Sequence, residues 1–297
     1  MPFAAALAPG CQPQRLELVL GDGYRTSVLL HAGRGEHRRL PVLYVHGIQS
    51  HPGWFVKSAS ALADDGHDVY QVTRRGSGDN LAGRGQAQSA GQLLDDLERA
   101  GRFALERSAA TSLHLMGVSW GGKLCACYAV DARRSVDIAS LTLLAPGIVP
   151  RVDVPATTKL SIALALLVCP HRRFDIPLSD PELFTDNPAM RQYLASDPCR
   201  LHRATARFLY ASRQLDIRLR RAARGALAMP TTLILAASDK IVDNQPTLAA
   251  IERLCREKIS VRTLPGAHTL EFEPDTMPLE QSLLTATREK QNVGRAT

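Results

Sequence analysis

The stretch SLHLMGVSWGG, residues 112–122, decides how this 297-residue chain is read. An apolar run of strand character leads directly into Gly117-Val118-Ser119-Trp120-Gly121, and a helical stretch opens near Trp120. In that strand-to-helix setting the GxSxG pattern reads as a nucleophile elbow, with Ser119 at its tip. The glycines have a steric reason to be there. A turn this sharp brings the residues two before and two after the serine together, so side chains at those places would clash. The serine itself is expected in a strained backbone conformation that projects its oxygen away from the sheet. Gly122 extends the small patch where helix meets strand.

A serine hydroxyl is a weak nucleophile at neutral pH and needs a base, which in turn needs an orienting acid. The period of the apolar residues indicates where these lie. Residues 16–20 and 26–31 flank an Asp-Gly turn and predict an opening hairpin. Strands are predicted at 40–46, 68–72, 112–116, 138–144, 231–237 and 259–264, alternating with helices at 54–65 and 86–106. The pattern is that of a mostly parallel sheet covered by helices. Of the nine histidines, His31 and His114 fall inside strands, His37 and His67 in turns before strands, and His171 and His202 at the proline-rich segment beyond Pro146. His268 alone stands in a loop directly after the last strand. That is where the chain order of serine, acid, histidine requires the base. The acid belongs after the preceding strand, at Ala-Ser-Asp239-Lys-Ile-Val-Asp243. Asp239 is nearer the strand end, and Asp243, just before a helical stretch, also suits an ordinary helix cap.

An acyl-transfer site must stabilise an oxyanion, usually with backbone N–H groups. The first helical residue, Trp120, offers one, and the loop HGIQSH at residues 46–51 offers another through Ile48. Gly47 lets this backbone turn close to a substrate. His46 borders the same substrate-side loop, its ring expected chiefly to tie the loop to nearby carbonyls. Residues 146–201 break the alternation. They are rich in proline, show no clear strand and contain an apolar run at 160–169, so they are read as a mainly helical cap inserted between two core segments, 1–145 and 202–297. Such an insertion sits over the carboxyl ends of the strands. Its leucines and isoleucine either meet an acyl chain or form the cap's own core.

Composition excludes several other classes. Charged residues make up 22% of the chain, and the net charge of +7 is spread along it rather than gathered in a patch, so solubility explains it. Aromatic residues, at 5%, are too few for a base-stacking surface, and no nucleic-acid partner is expected. The six cysteines form no CxxC or Cys/His cluster, which argues against a zinc site and for reduced thiols in a cytoplasm. The first ten residues lack the features of a secretory signal, and the longest apolar run is about half the ~20 residues of a spanning helix. Residues 280–297 read as a polar, fraying tail, and RRGSGDN at 74–80 as a surface turn.

Taken in order and spacing, HGIQSH, RRGSG, GVSWGG, ASDKIVDN and GAHTLEF resemble the α/β-hydrolase superfamily. Within it they resemble the group of monoacylglycerol lipases, lysophospholipases and serine aminopeptidase domains, over residues 40–272. The resemblance implies Ser119, Asp239 and His268 as a catalytic triad, Ile48 and Trp120 as oxyanion donors, no metal or cofactor, and a small-molecule ester as substrate, with transient contact at a lipid surface. A thioesterase, acyltransferase or aminopeptidase could use the same residues, as could a binding protein that no longer turns over. Two departures stand out: Trp120 follows the serine where lipases of this group often have methionine, and Thr73 stands where an aspartate commonly precedes the Arg-Gly turn.

Overall fold

A computed structural model describes residues 12–288. The first ten residues and Cys11 lie outside the described residues. The centre is an eight-stranded sheet whose inner strands are buried on both faces, as their nearly unbroken apolar sequences require. The opening hairpin pairs β1 (Gln14–Val19) with β2 (Arg25–His31). β3 (Val42–Val45), β4 (Val69–Val72), β5 (Ser112–Val118), β6 (Asp137–Leu144), β9 (Thr231–Ala236) and β10 (Ser260–Leu264) complete the sheet in the order β1-β2-β4-β3-β5-β6-β9-β10. β2 runs antiparallel to both neighbours, and the pairs from β4 to β10 are parallel. The register levels the carboxyl ends of the inner strands: Val45 stands beside Gly117, Val118 beside Leu144, and Leu144 beside Ile234. Loops leaving these strands therefore emerge side by side, where ligands bind in open α/β sheets.

Helices cover the sheet: α1 (Val56–Asp64), α2 (Ala90–Ser108), α3 (Trp120–Ala129), α7 (Asn244–Leu254) and α8 (Met277–Arg288), with α1 lying against α8 and α2 against α3. The polar tail expected from residue 280 is instead helical as far as Arg288, because Leu279, Leu283 and Ala286 recur on one face and are buried. Residues 289–297 lie outside the described residues.

Between β6 and β9 the chain forms α4 (Ala156–Val168), α5 (Pro188–Ser196) and α6 (Ala206–Arg221), with α4 on α6. It also contains strands where none was expected. β7 (Arg173–Asp175) pairs antiparallel with β8 (Arg203–Thr205). Three-residue strands are too short for alternation to register in sequence. In α4 the apolar residues divide: Ile162 and Leu166 face a cavity, while Leu160, Leu164, Leu167 and Val168 are exposed. The run is therefore not the buried core of a cap.

Candidate active site

Ser119 sits between β5 and α3 with φ 54°, one of three described non-glycine residues with positive φ. Three backbone bonds hold it there: its N–H donates to Leu144 O at 2.8 Å, and its carbonyl accepts from Gly147 N at 2.8 Å and from Lys123 N at 3.2 Å. The flanking glycines are obligatory. A Cβ on Gly117 would lie 2.6 Å from Gly121 O, and one on Gly121 would lie 2.4 Å from the carbonyl oxygens of both Val45 and His46. The elbow is thus wedged against the end of β3, which brings the loop after β3 to the serine.

The hydroxyl meets His268, and through it Asp239, the two groups expected from strand order. His268 Nε2 lies 2.9 Å from Ser119 Oγ, and His268 Nδ1 lies 2.8 Å from Asp239 Oδ2. The second oxygen of Asp239 accepts from the amides of Ile241 and Val242, both at 2.8 Å. Burial opposes ionisation of Asp239, but the neighbouring His268 and the two amides outweigh it and hold its carboxyl below the ordinary range. With Nδ1–H committed to a carboxylate, the imidazole presents Nε2 to the hydroxyl as an acceptor. Asp243 takes no part in this chain of contacts. It stands at the start of α7 and pairs at 3.5 Å with Arg151. Phe184, from the segment between β6 and β9, meets the His268 ring edge-on at 6.2 Å between centroids, and its carbonyl accepts from Thr269 N at 2.9 Å.

The loop after β3 lies against the nucleophile: a Cβ added to Gly47 would stand 3.2 Å from Ser119 Cβ. The amides of Ile48 and Trp120 donate to no protein acceptor among the described residues. His46 is buried, with Nδ1 donating to Gly47 O at 2.9 Å and Nε2 accepting from Arg74 N at 3.1 Å. Burial keeps this ring neutral, its pKa well below the ordinary value. Both nitrogens therefore serve the loop, and neither is left for a substrate.

Arg74 is the residue that sequence reading missed. The expected surface turn in fact sends this guanidinium inward, 5% exposed, to donate to the carbonyls of His46, Gly47 and Ile48. Its bond to Gly47 O is 2.6 Å. In a trans peptide the carbonyl and the following N–H point in opposite directions, so holding Gly47 O fixes the direction of the Ile48 N–H. The same guanidinium lies 4.6 Å from the centre of the Trp120 ring, whose other neighbour is the stacked ring of Phe208 at 5.4 Å. Burial draws the Arg74 pKa down to about 9, still cationic at neutral pH. Its place at the head of the glycine-punctuated loop Arg74-Arg75-Gly76-Ser77-Gly78 was the only signal available.

Ser119 opens on a cavity of about 1050 Å³ whose lining includes Ile48, Trp120, Ile148, Ile162, Leu166 and Leu178. An aminopeptidase would need carboxylates to hold an amino terminus, and Asp175, Asp180, Glu182 and Asp186, the acidic residues at 175–186, do not line the cavity. Asp175 pairs with Arg203, Glu182 with Arg191, and Asp186 with Arg191 and Lys240, while Asp180 caps a short helical turn.

Among the described residues, one cluster of metal-ligating types occurs despite the scattered cysteines. His51, Asp197 and Cys199 bring ligand atoms within 4.8 Å of one another. Its chemistry is accounted for by hydrogen bonds. His51 Nδ1 accepts from Gly53 N, which leaves the ring proton on Nε2 to donate to Asp197 Oδ2 at 3.0 Å, and Trp54 Nε1 donates to the same oxygen. A ring protonated on Nε2 and accepting on Nδ1 has no free lone pair for a metal. The cluster pins the segment before β8 to the loop after β3. Among the described residues, Cys125, Cys127, Cys169 and Cys199 are free thiols.

The fold is that of the α/β hydrolases, which solved structures share across nearly the whole chain. Monoacylglycerol lipase from Paleococcus ferrophilus is 19% identical, covers 87% of this chain and 96% of its own, and superposes with a TM-score of 0.75. A soluble variant of monoglyceride lipase from Saccharomyces cerevisiae gives 18%, 97%, 96% and 0.76. A thermostable carboxyl esterase from Bacillus coagulans gives 14%, 94%, 98% and 0.76. At these identities the likeness is one of fold. Residues 36–275 match the serine aminopeptidase S33 family, and the chain belongs to that family. No curated protein matches its sequence significantly. Among the described residues no helix is long and apolar enough to cross a membrane.

Proposed function

We propose that this chain is a serine hydrolase of carboxylic esters with an apolar acyl part, and that residues 146–201 act as its cap. The observation that carries the reading is the hydrogen-bonded chain from Asp239 through His268 to Ser119 at one end of a mostly apolar cavity. Ser119 Oγ attacks the ester carbonyl as its proton passes to His268 Nε2. The carbonyl oxygen, now an anion, is met by the amides of Ile48 and Trp120. The carbon–oxygen bond to the alcohol then breaks, His268 returns the proton to the departing alkoxide, and an acyl-Ser119 ester remains. Water, deprotonated by His268, repeats the sequence and releases the acid. The named lipases and esterase share this fold, which agrees with ester chemistry. Asp175, Glu182 and Asp186 are engaged in ion pairs outside the cavity, and Asp153, the cap acid that lines it, is paired with Lys159, which weighs against an aminopeptidase.

A panel of p-nitrophenyl esters of increasing acyl length, set beside aminoacyl p-nitroanilides, tests the reading. Turnover of the esters, rising from acetate to medium chains, is the expected result. Turnover of the anilides alone would overturn it.

A further inference from the structure

The cavity is not uniformly apolar. One helical turn beyond the nucleophile on α3, Lys123 lines it with a side chain only 8% exposed. A charge this deeply buried is stable only with partners, and Lys123 has two: its Nζ donates to Asp216 Oδ1 at 2.8 Å and to Ser212 Oγ at 3.1 Å. An ammonium group has three protons, so one remains. Ser212 Oγ accepts from Lys123 and also from Trp120 Nε1 at 2.8 Å, which uses it as an acceptor twice over. Its own hydroxyl proton has no acceptor among the described residues. Two donors are thus left over, side by side, on residues that line the same cavity as Ser119. Charge points the same way. Asp216 faces two cations, Lys123 and, at 3.8 Å, Arg213. The group is one positive charge in excess.

Resting on the ester-hydrolase reading, we propose that Lys123 and Ser212 form a polar subsite for an oxygen acceptor carried on the acyl chain of the substrate. The favoured acyl groups are then oxo- or carboxy-substituted rather than plain alkyl. Lys123 stands about one helical turn along α3 from Ser119 and lines the same cavity, which puts its ammonium within the range of a medium-length acyl chain on Ser119. A carboxylate there would balance the excess charge, and a ketone would take the same two donors without doing so. A plain alkyl chain that filled this part of the cavity would leave both donors without an acceptor, which is the costly case.

The test compares p-nitrophenyl hexanoate, p-nitrophenyl 5-oxohexanoate and the p-nitrophenyl half-ester of adipic acid on wild type, Lys123→Met and Ser212→Ala. The quantity read is the ratio of kcat/KM for an oxygenated ester to that for hexanoate on one preparation, so the fraction of folded enzyme cancels. Wild type is expected to favour at least one oxygenated ester about tenfold, the effect of a hydrogen bond to a charged donor. Lys123→Met is expected to bring that ratio near or below one, and Ser212→Ala to lower it partway. Preference for adipate alone identifies an anionic acyl group, and preference for both esters a general oxygen acceptor. A wild-type ratio near one, or a ratio unchanged in both variants, overturns the subsite while leaving the esterase reading in place. If none of the three esters is cleaved, the esterase reading falls as well.

Discussion

The guanidinium of Arg74 lies 4.6 Å from the centre of the Trp120 ring while donating at 2.6 Å to the carbonyl of Gly47. One buried cation thereby braces both backbone segments proposed to receive the oxyanion. Its loss frees the Gly47–Ile48 peptide to rotate and removes the positive end that polarises it. Arg74→Met is expected to lower kcat about tenfold or more with KM little changed, since the amide acts mainly on the transition state. Arg74→Lys, which keeps a charge but loses the fork, is expected to recover part of the loss. Steady-state kinetics on one ester decides it, and a change confined to KM would contradict the bracing role.

Gly121 is expected to tolerate no side chain, because both atoms its Cβ would strike are backbone oxygens at the end of β3. Gly121→Ala should destabilise the protein by about 4 kcal/mol or more, or prevent its folding. Gly21→Ala, with nothing within 4 Å of the added methyl, should stay within about 0.5 kcal/mol of wild type. Thermal melts of the two variants provide the contrast.

Glu271 gives stability a pH dependence of definite sign. It is buried beneath the start of α1, where its Oε1 accepts from Ser58 N at 3.0 Å and its Oε2 has no partner. Burial pushes its pKa up from 4.5 to about 7, against the pull of the Ser58 and Lys57 contacts. The folded protein therefore binds this proton more tightly than the unfolded chain. Stability falls as pH rises through the window between those two values, by up to about 3 kcal/mol, and is level on either side. Glu271→Gln removes the charge while keeping an acceptor for Ser58. Measured by denaturant melts, the variant is expected to gain on wild type at pH 8 and to match it near pH 4.5. A constant offset at both values would contradict this.

The outer face of α4 makes a prediction about the physical state of the substrate. Leu164, Leu167 and Val168 are 57%, 82% and 83% exposed, beside the residues of the same helix that line the cavity. Apolar surface of this kind suits contact with a lipid surface. Replacing all three by serine is expected to lower the rate on a micellar long-chain ester, relative to a monomeric short one, by about fivefold, the loss of apolar contact area. An unchanged ratio would place the face elsewhere in the protein's work.

How much of this could be read from residues alone follows from the range of the interactions involved. The elbow was legible because its pattern lies within five residues: Gly117 is required by the Gly121 carbonyl inside that span, while the contact that requires Gly121, with the carbonyls of Val45 and His46, appears only in the fold. His268 was legible by elimination and Asp239 by its place nearest the strand end, since parallel strands place their carboxyl-end loops together. Arg74 and Lys123 were not, because nothing in their local sequence separates an arginine turned inward to three carbonyls from one turned to water. His51, Asp197 and Cys199 come together only through the path of the chain between β6 and β9. The strands β7 and β8 were too short for their period to show, and the exposed side of α4 carried the same leucines as its cavity side.

The central claim is that the Ser119 hydroxyl is made nucleophilic by His268, and reaction with a fluorophosphonate probe tests it most directly. The wild-type protein should take up one equivalent of probe, located by peptide mass spectrometry on Ser119, with labelling lost in Ser119→Ala and slowed at least about a hundredfold in His268→Ala. Absence of labelling in a folded wild-type protein, or labelling that persists in Ser119→Ala, would contradict the account.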